Sequence, residues 1–116
     1  MKKLLLIVLI LAVAAIARAQ NTAFAGDPAN GKKIFEADGC WQCHNYNGSG
    51  GRQGARLAQT KFTAQGFISY IRKPRTMPPY SAKVISDKEA TDVWAYIKTF
   101  PEPPALSSIA ILNNLD

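Results

Sequence analysis

Cys40-Trp41-Gln42-Cys43-His44 is the stretch that decides the fold. It reads C-x-x-C-H, the pattern that fixes haem covalently to a polypeptide. The spacing has a mechanical reason. Two cysteines three positions apart, at the end of a helix, reach the two vinyl groups of one porphyrin. The next residue then lies under the iron. Cys40 and Cys43 are thus the expected attachment points and His44 the expected proximal ligand. Three other readings compete. A thioredoxin-type redox pair expects an adjoining βαβ pattern, which this chain lacks. A structural zinc site needs four ligands, and the chain has no Cys or His besides these three. A Cys40–Cys43 disulfide would leave His44 without a role.

Outward from the motif, the chain reads as all-α. Asp27-Pro28 opens a helix, since Asp caps well and Pro suits the first helical position. Ile34 and Phe35 give it an apolar face, and Asp38-Gly39 ends it. Residues 45–54 are rich in Gly, Ser and Asn and read as loop. Thr63 caps a second helix with Phe67, Ile68 and Ile71 inward, and Pro74 stops it. A second loop follows, stiffened by Pro78 and Pro79. Ser86-Asp87-Lys88-Glu89 is a capping box. It starts a helix with Ala90, Val93, Trp94 and Ile97 at i, i+3, i+4, i+7 spacing, which Pro101, Pro103 and Pro104 end. Nothing repeats, and nothing alternates like a strand. Long loops in a small helical domain need a reason. Wrapping a flat apolar object such as a haem supplies one.

The N-terminus reads as a targeting segment. Met1-Lys2-Lys3 is basic, residues 4–16 are an unbroken apolar run, and Ala17-Arg18-Ala19 offers small residues for cleavage. The run falls short of the roughly 20 residues that span a bilayer. Membrane anchoring through an uncleaved segment is the lesser alternative, and Ala23-Phe24-Ala25 is a second acceptable cleavage site. The expected organisation is a signal peptide over 1–19, a flexible leader over 20–26, the folded domain over 27–104 and a tail over 105–116. Export to the periplasm follows. The chain is formally +6, and loss of Lys2, Lys3 and Arg18 leaves +3. That charge is too small for a nucleic-acid binder.

A haem bound through His44 has one further axial position. The chain has two methionines, and Met1 leaves with the signal, so Met77 is the one remaining thioether. It sits in the loop Arg75-Thr76-Met77-Pro78-Pro79-Tyr80, not on a helix stripe where a packing Met usually lies. His/Met ligation favours the ferrous state and raises the potential. With both axial sites filled, no place is left for substrate, which points to electron transfer and away from catalysis.

With these ligands placed, residues 27–104 resemble the class I c-type cytochromes, the monohaem cytochrome c family. The order is the family's: a first helix, C-x-x-C-H, a Gly-rich loop, a middle helix, a Met loop and a last helix. In that family, a Gly and an aromatic residue four apart on the first helix pack against the last. Gly31 and Phe35 match that pair, and Val93 and Tyr96 match its partners. The Met-Pro-Pro-Tyr loop before a Ser-Asp helix start looks like a bacterial periplasmic branch, whose members are small carriers or cytochrome subunits of dehydrogenases. The resemblance implies a small cytochrome c fold of three to four helices and long loops around one covalent haem c. One departure stands out. Family members commonly read Gly-Pro-x-Leu after the motif, with the Pro carbonyl accepting the proximal His N–H. Here the residues are Gly54-Ala55-Arg56-Leu57. Ala55 can still offer its carbonyl to His44. Arg56 becomes a candidate partner for a haem propionate, beside its reading as a solvated surface Arg.

The function expected is that of a one-electron carrier in a periplasmic electron-transfer chain, and not an enzyme. The alternative is a cytochrome subunit docked permanently on a periplasmic dehydrogenase or oxidase, toward which the apolar tail Ile109-Ala110-Ile111-Leu112 leans. A haem enzyme or gas sensor is a third reading. Arg72, Lys73, Arg75 and Lys83 flank Met77 and suggest redox partner proteins with an acidic docking patch. Basic residues near a helix C-terminus are also favoured by its dipole.

Overall fold

A computed structural model describes residues 25–51 and 53–111. Four helices form, and there is no strand among the described residues. The expected signal peptide over 1–19 and the end of the expected tail lie outside them.

Helix α1 (Pro28–Ala37) starts where Asp27 accepts the Ala29 N–H at 2.9 Å. It buries Gly31 and Phe35, four residues apart and hence on one face. The cysteines are not on its end. Gly39, at φ +71°, breaks the chain direction, and α2 (Cys40–His44) is a separate short helix. The left-handed region is open to glycine without a Cβ clash. The first helix ends at Asp38-Gly39 as expected, and the motif forms a short helix of its own that the sequence reading did not include.

Helix α3 (Ala64–Arg72) is capped by Thr63, whose hydroxyl accepts the Gly66 N–H at 3.1 Å. It ends before Pro74, with Lys73 already at φ −140°, because a residue before proline is pushed out of helical geometry. Helix α4 (Asp87–Ile97) carries the full capping box: Ser86 Oγ accepts the Glu89 N–H, and the Glu89 carboxylate accepts the Ser86 N–H at 2.8 Å. It stops short of Pro101. The Phe100 N–H closes a tight turn onto Ile97, and this tucks the Phe100 ring into the core. Beyond it the chain is mostly exposed, with a 3-10 turn at Leu106–Ser108 and Ile109 half-buried.

Helix α4 is the hub and packs against both α1 and α3. On one side Phe35, Ala58, Val93, Ile97 and Phe100 form a buried cluster. Phe35 meets Tyr96 at 5.5 Å and Phe100 at 5.7 Å between ring centroids, both edge to face. Such aromatic pairs add about 0.5–1.5 kcal/mol beyond area burial. The expected meeting of Gly31 and Phe35 with Val93 and Tyr96 is present. A Cβ at Gly31 would lie 1.9 Å from the Asp92 carbonyl oxygen, so only glycine permits this crossing. On the other side Ile68, Ile71, Ile85 and Ala90 form a second cluster. A cavity lies where the two clusters face each other.

Candidate functional site

The cavity has a volume of about 460 Å³. Phe35, Phe67, Ile71, Val93 and Ile97 give it apolar walls. Cys40, Cys43 and His44 from α2 line it, and so does Met77 from the loop between α3 and α4. Residues 33 positions apart in sequence, His44 and Met77, thus reach one space.

Why α2 holds its place is visible in its backbone. A five-residue helix ends with unpaired carbonyls. The Gly-rich loop pairs two of them: the Gly54 N–H donates to Cys43 O and the Gly50 N–H to His44 O. Gly50 takes φ +71° to do so. The same loop brings Ala55 to the imidazole. His44 Nδ1 lies 2.6 Å from the Ala55 carbonyl oxygen. A carbonyl only accepts, so Nδ1 carries the proton and Nε2 keeps its lone pair for a metal. Gly54 is packed against the ring, and a Cβ there would fall 2.6 Å from Nδ1.

The Cys40 thiol does not have the surroundings of a reactive cysteine. Burial pushes the Cys40 thiol up to about 11, with the Asp38 carboxylate adding to the effect. Reactive cysteines sit in electropositive settings that lower the pKa. Nor does any group of three or more His, Cys, Asp and Glu among the described residues form a metal cage.

Met77 is half-buried and packs against the Ile68, Ile71, Ile85 and Ala90 cluster while lining the cavity. Arg56 also lines the cavity, is exposed, and makes no ion pair among the described residues. Arg75 does the same from the Met77 loop. Of the expected docking charges, Arg72 falls out. Its side chain is only 20% exposed, and the guanidinium is paired with Asp87 at 2.6 Å. A charge so engaged serves the fold, and the exposed cations of this region are Lys73, Arg75 and Lys83.

Asp92 was not legible as a functional or structural carboxylate. It is 1% exposed and accepts from the Asp27 N–H at 2.7 Å, Asn30 Nδ2 at 2.9 Å and Lys88 Nζ at 2.9 Å. Burial alone would raise its pKa. The hydrogen bonds from Asn30, Lys88 and Asp27 outweigh that and hold it below the usual carboxylate range. In the sequence nothing sets it apart from a helix-surface acid.

Two thiols three residues apart, an imidazole with one nitrogen already committed, and a thioether, all on one apolar cavity, fit a covalently bound iron porphyrin. Comparison with known proteins agrees. Residues 26–97 match the family described as cytochrome c oxidase, cbb3-type, subunit III, and the chain belongs to this family of c-type cytochrome domains. It carries covalently bound haem c, and its role is electron transfer. A curated relative, the cytochrome bc1 complex cytochrome c subunit of Corynebacterium diphtheriae, is 30% identical over 83 residues. The match covers 68% of this chain and 29% of that protein. No solved structure matches the chain significantly.

Proposed function

We propose that this chain is a one-electron carrier holding a single haem through thioether bonds to Cys40 and Cys43, with His44 and Met77 as the axial ligands. The observation that carries the reading is the convergence of His44 and Met77 on one apolar cavity, with His44 Nδ1 fixed on Ala55. When bound, the haem supplies the iron that takes up and releases one electron. The chain's own residues do the rest. Ala55 orients the imidazole through its carbonyl, and this makes Nε2 the better donor. The apolar walls exclude water, and a low dielectric disfavours the more charged state of the centre. Arg56 pairs with a haem propionate, and Arg75 joins it in that role; both are exposed and line the cavity, which supports the reading.

The carrier works outside the cytoplasmic membrane, in the periplasm, a reading supported by the expected signal peptide over 1–19 ahead of a folded domain over 27–104. No helix among the described residues is long and apolar enough to cross a membrane. Partner proteins meet the protein around Lys73, Arg75 and Lys83 through an acidic patch. A second reading, a cytochrome subunit that stays docked on a larger oxidoreductase, is favoured by the relative's printed name, which is that of a complex subunit.

Two measurements test the proposal. Expressed with export and haem-ligation machinery, the denatured protein should exceed the polypeptide mass by one haem, and Cys40→Ala together with Cys43→Ala should abolish this. The ferric protein should show the weak near-infrared sulfur-to-iron band, and Met77→Ala should remove it and lower the potential. Identical spectra and potentials for wild type and Met77→Ala would reduce Met77 to core packing. Native mass of the complex isolated from its own membranes and periplasm separates free carrier from docked subunit.

A further inference from the structure

The loop that carries Met77 is strapped at its neck by one side chain. Arg72, the last residue of α3, reaches across to the far arm of the loop. Its Nη1 donates to the Tyr80 carbonyl at 2.9 Å. Its Nη2 donates to the Ile85 carbonyl at 2.9 Å and to the Asp87 carboxylate at 2.6 Å. Met77 lies inside the segment this fork closes. Beside it the Tyr80 N–H donates to the Ile71 carbonyl at 2.9 Å, so both backbone groups of Tyr80 are tied to the end of α3. The loop's other basic residues, Lys73, Arg75 and Lys83, are exposed and make no ion pair among the described residues.

The geometry needs an arginine. Three acceptors belonging to three residues are met by two nitrogens of one planar fork, and the charge is balanced by Asp87 at the first turn of α4. A lysine carries the same charge as a single point and cannot reproduce the fork. Two of the three acceptors are carbonyls of the loop itself, so the fork bears directly on the loop, and the third anchors it to the start of α4.

We propose that Arg72 is the positioning residue for Met77: its fork holds the loop closed and sets how often the sulfur leaves the iron. The inference rests on Met77 as axial ligand. A loop held by fewer bonds spends a larger fraction of time open, and an external ligand binds in proportion to that fraction.

The experiment uses the ferric holoprotein and imidazole as the probe. Wild type, Arg72→Lys, Asp87→Asn and Phe100→Leu are compared. Phe100 is buried in the other cluster and does not line the cavity, so its variant lowers global stability without touching the strap. Imidazole should bind Arg72→Lys at least about tenfold faster than wild type, the lower end of what losing a charge-assisted hydrogen bond shifts in an equilibrium. The Tyr80 amide should exchange its hydrogen faster by a similar factor, and the near-infrared band should be lost at lower pH. Asp87→Asn should give a smaller change in the same direction, and Phe100→Leu none. Imidazole binding to Arg72→Lys within about twofold of wild type would overturn the proposal. So would an equal acceleration in Phe100→Leu. If Arg72→Lys does not fold, Asp87→Asn decides: an unchanged imidazole rate refutes the strap. Absence of the near-infrared band from wild type is a different result, since it removes Met77 as ligand and leaves the strap nothing to position.

Discussion

Replacing Asp92 by alanine deletes the acceptor that ties the first turn of α1 to the middle of α4. The carboxylate is 1% exposed, so its donors lose their partner with little access to water. Two of them, the Asp27 N–H and Asn30 Nδ2, belong to the start of α1. A hydrogen bond to a charged group contributes about 1.5–3 kcal/mol, and two in one network add less than their sum. The cost of Asp92→Ala is therefore about 3 kcal/mol, a large share of the 5–15 kcal/mol that a typical domain has. Asp92→Asn keeps one acceptor oxygen and should cost about half of that. The Lys88 ammonium is mostly in water and adds least. The assay is urea unfolding of the holoprotein followed by circular dichroism, repeated across pH. Because the folded pKa of Asp92 is depressed, its stabilisation is complete above the unfolded value near 3.8 and is lost as pH falls through the folded one. The gap between wild type and Asp92→Asn should stay constant from neutral pH to about 5 and narrow below about 4. A cost under about 1 kcal/mol at pH 7, or a gap that widens in acid, would refute the reasoning.

Other perturbations follow from the same geometry. Gly31→Ala places a Cβ 1.9 Å from the Asp92 carbonyl oxygen, a backbone atom that cannot step aside, and should cost about 3 kcal/mol in the same titration. Gly54→Ala sets a Cβ 2.6 Å from His44 Nδ1 and 2.8 Å from the Cys43 carbonyl. It should leave the haem mass intact while shifting the ferric spectrum and the potential, as the imidazole is turned off the Ala55 carbonyl. Lys73→Glu with Lys83→Glu should slow electron transfer to the physiological partner and flatten its salt dependence, with an unchanged haem spectrum. A rate indifferent to both salt and these substitutions would place docking elsewhere.

The helices were legible because their starts carry local chemistry. Pro28 after Asp27, Thr63, and the Ser86–Glu89 box each satisfy helix-end groups within a few residues, and the structure starts α1, α3 and α4 where these residues predict. The pairing of Gly31 and Phe35 with Val93 and Tyr96 was legible through a resemblance. What escaped depends on distant partners. Asp38-Gly39 marks the end of α1, but five residues with no apolar periodicity do not announce a helix, so α2 was missed. Arg72 reads as one of four basic residues around Met77, and only the folded loop brings Tyr80, Ile85 and Asp87 to it. Asp92 looks like an ordinary helix-surface acid until Asp27 and Asn30 close over it. Phe100 lies just past α4, and its burial follows from the turn onto Ile97.

The placing of the tryptophans has an optical consequence. The chain has two. Trp41 stands between the two cysteines, stacked on Tyr46 at 4.6 Å. Trp94 donates its indole N–H at 2.9 Å to the carbonyl of Phe62, whose residue lines the cavity. A haem absorbs where indole emits and drains the excited state of any tryptophan nearby, so the folded protein should be nearly dark. Unfolding separates only one of the two from the quencher. With haem bonded to Cys40 and Cys43, Trp41 remains one residue from the first attachment point and two from the second however the chain expands. Trp94 is 51 positions from Cys43 and moves away. The emission that grows in denaturant therefore belongs to Trp94, and Trp94→Phe should leave an unfolding transition plain in circular dichroism with almost no fluorescence change.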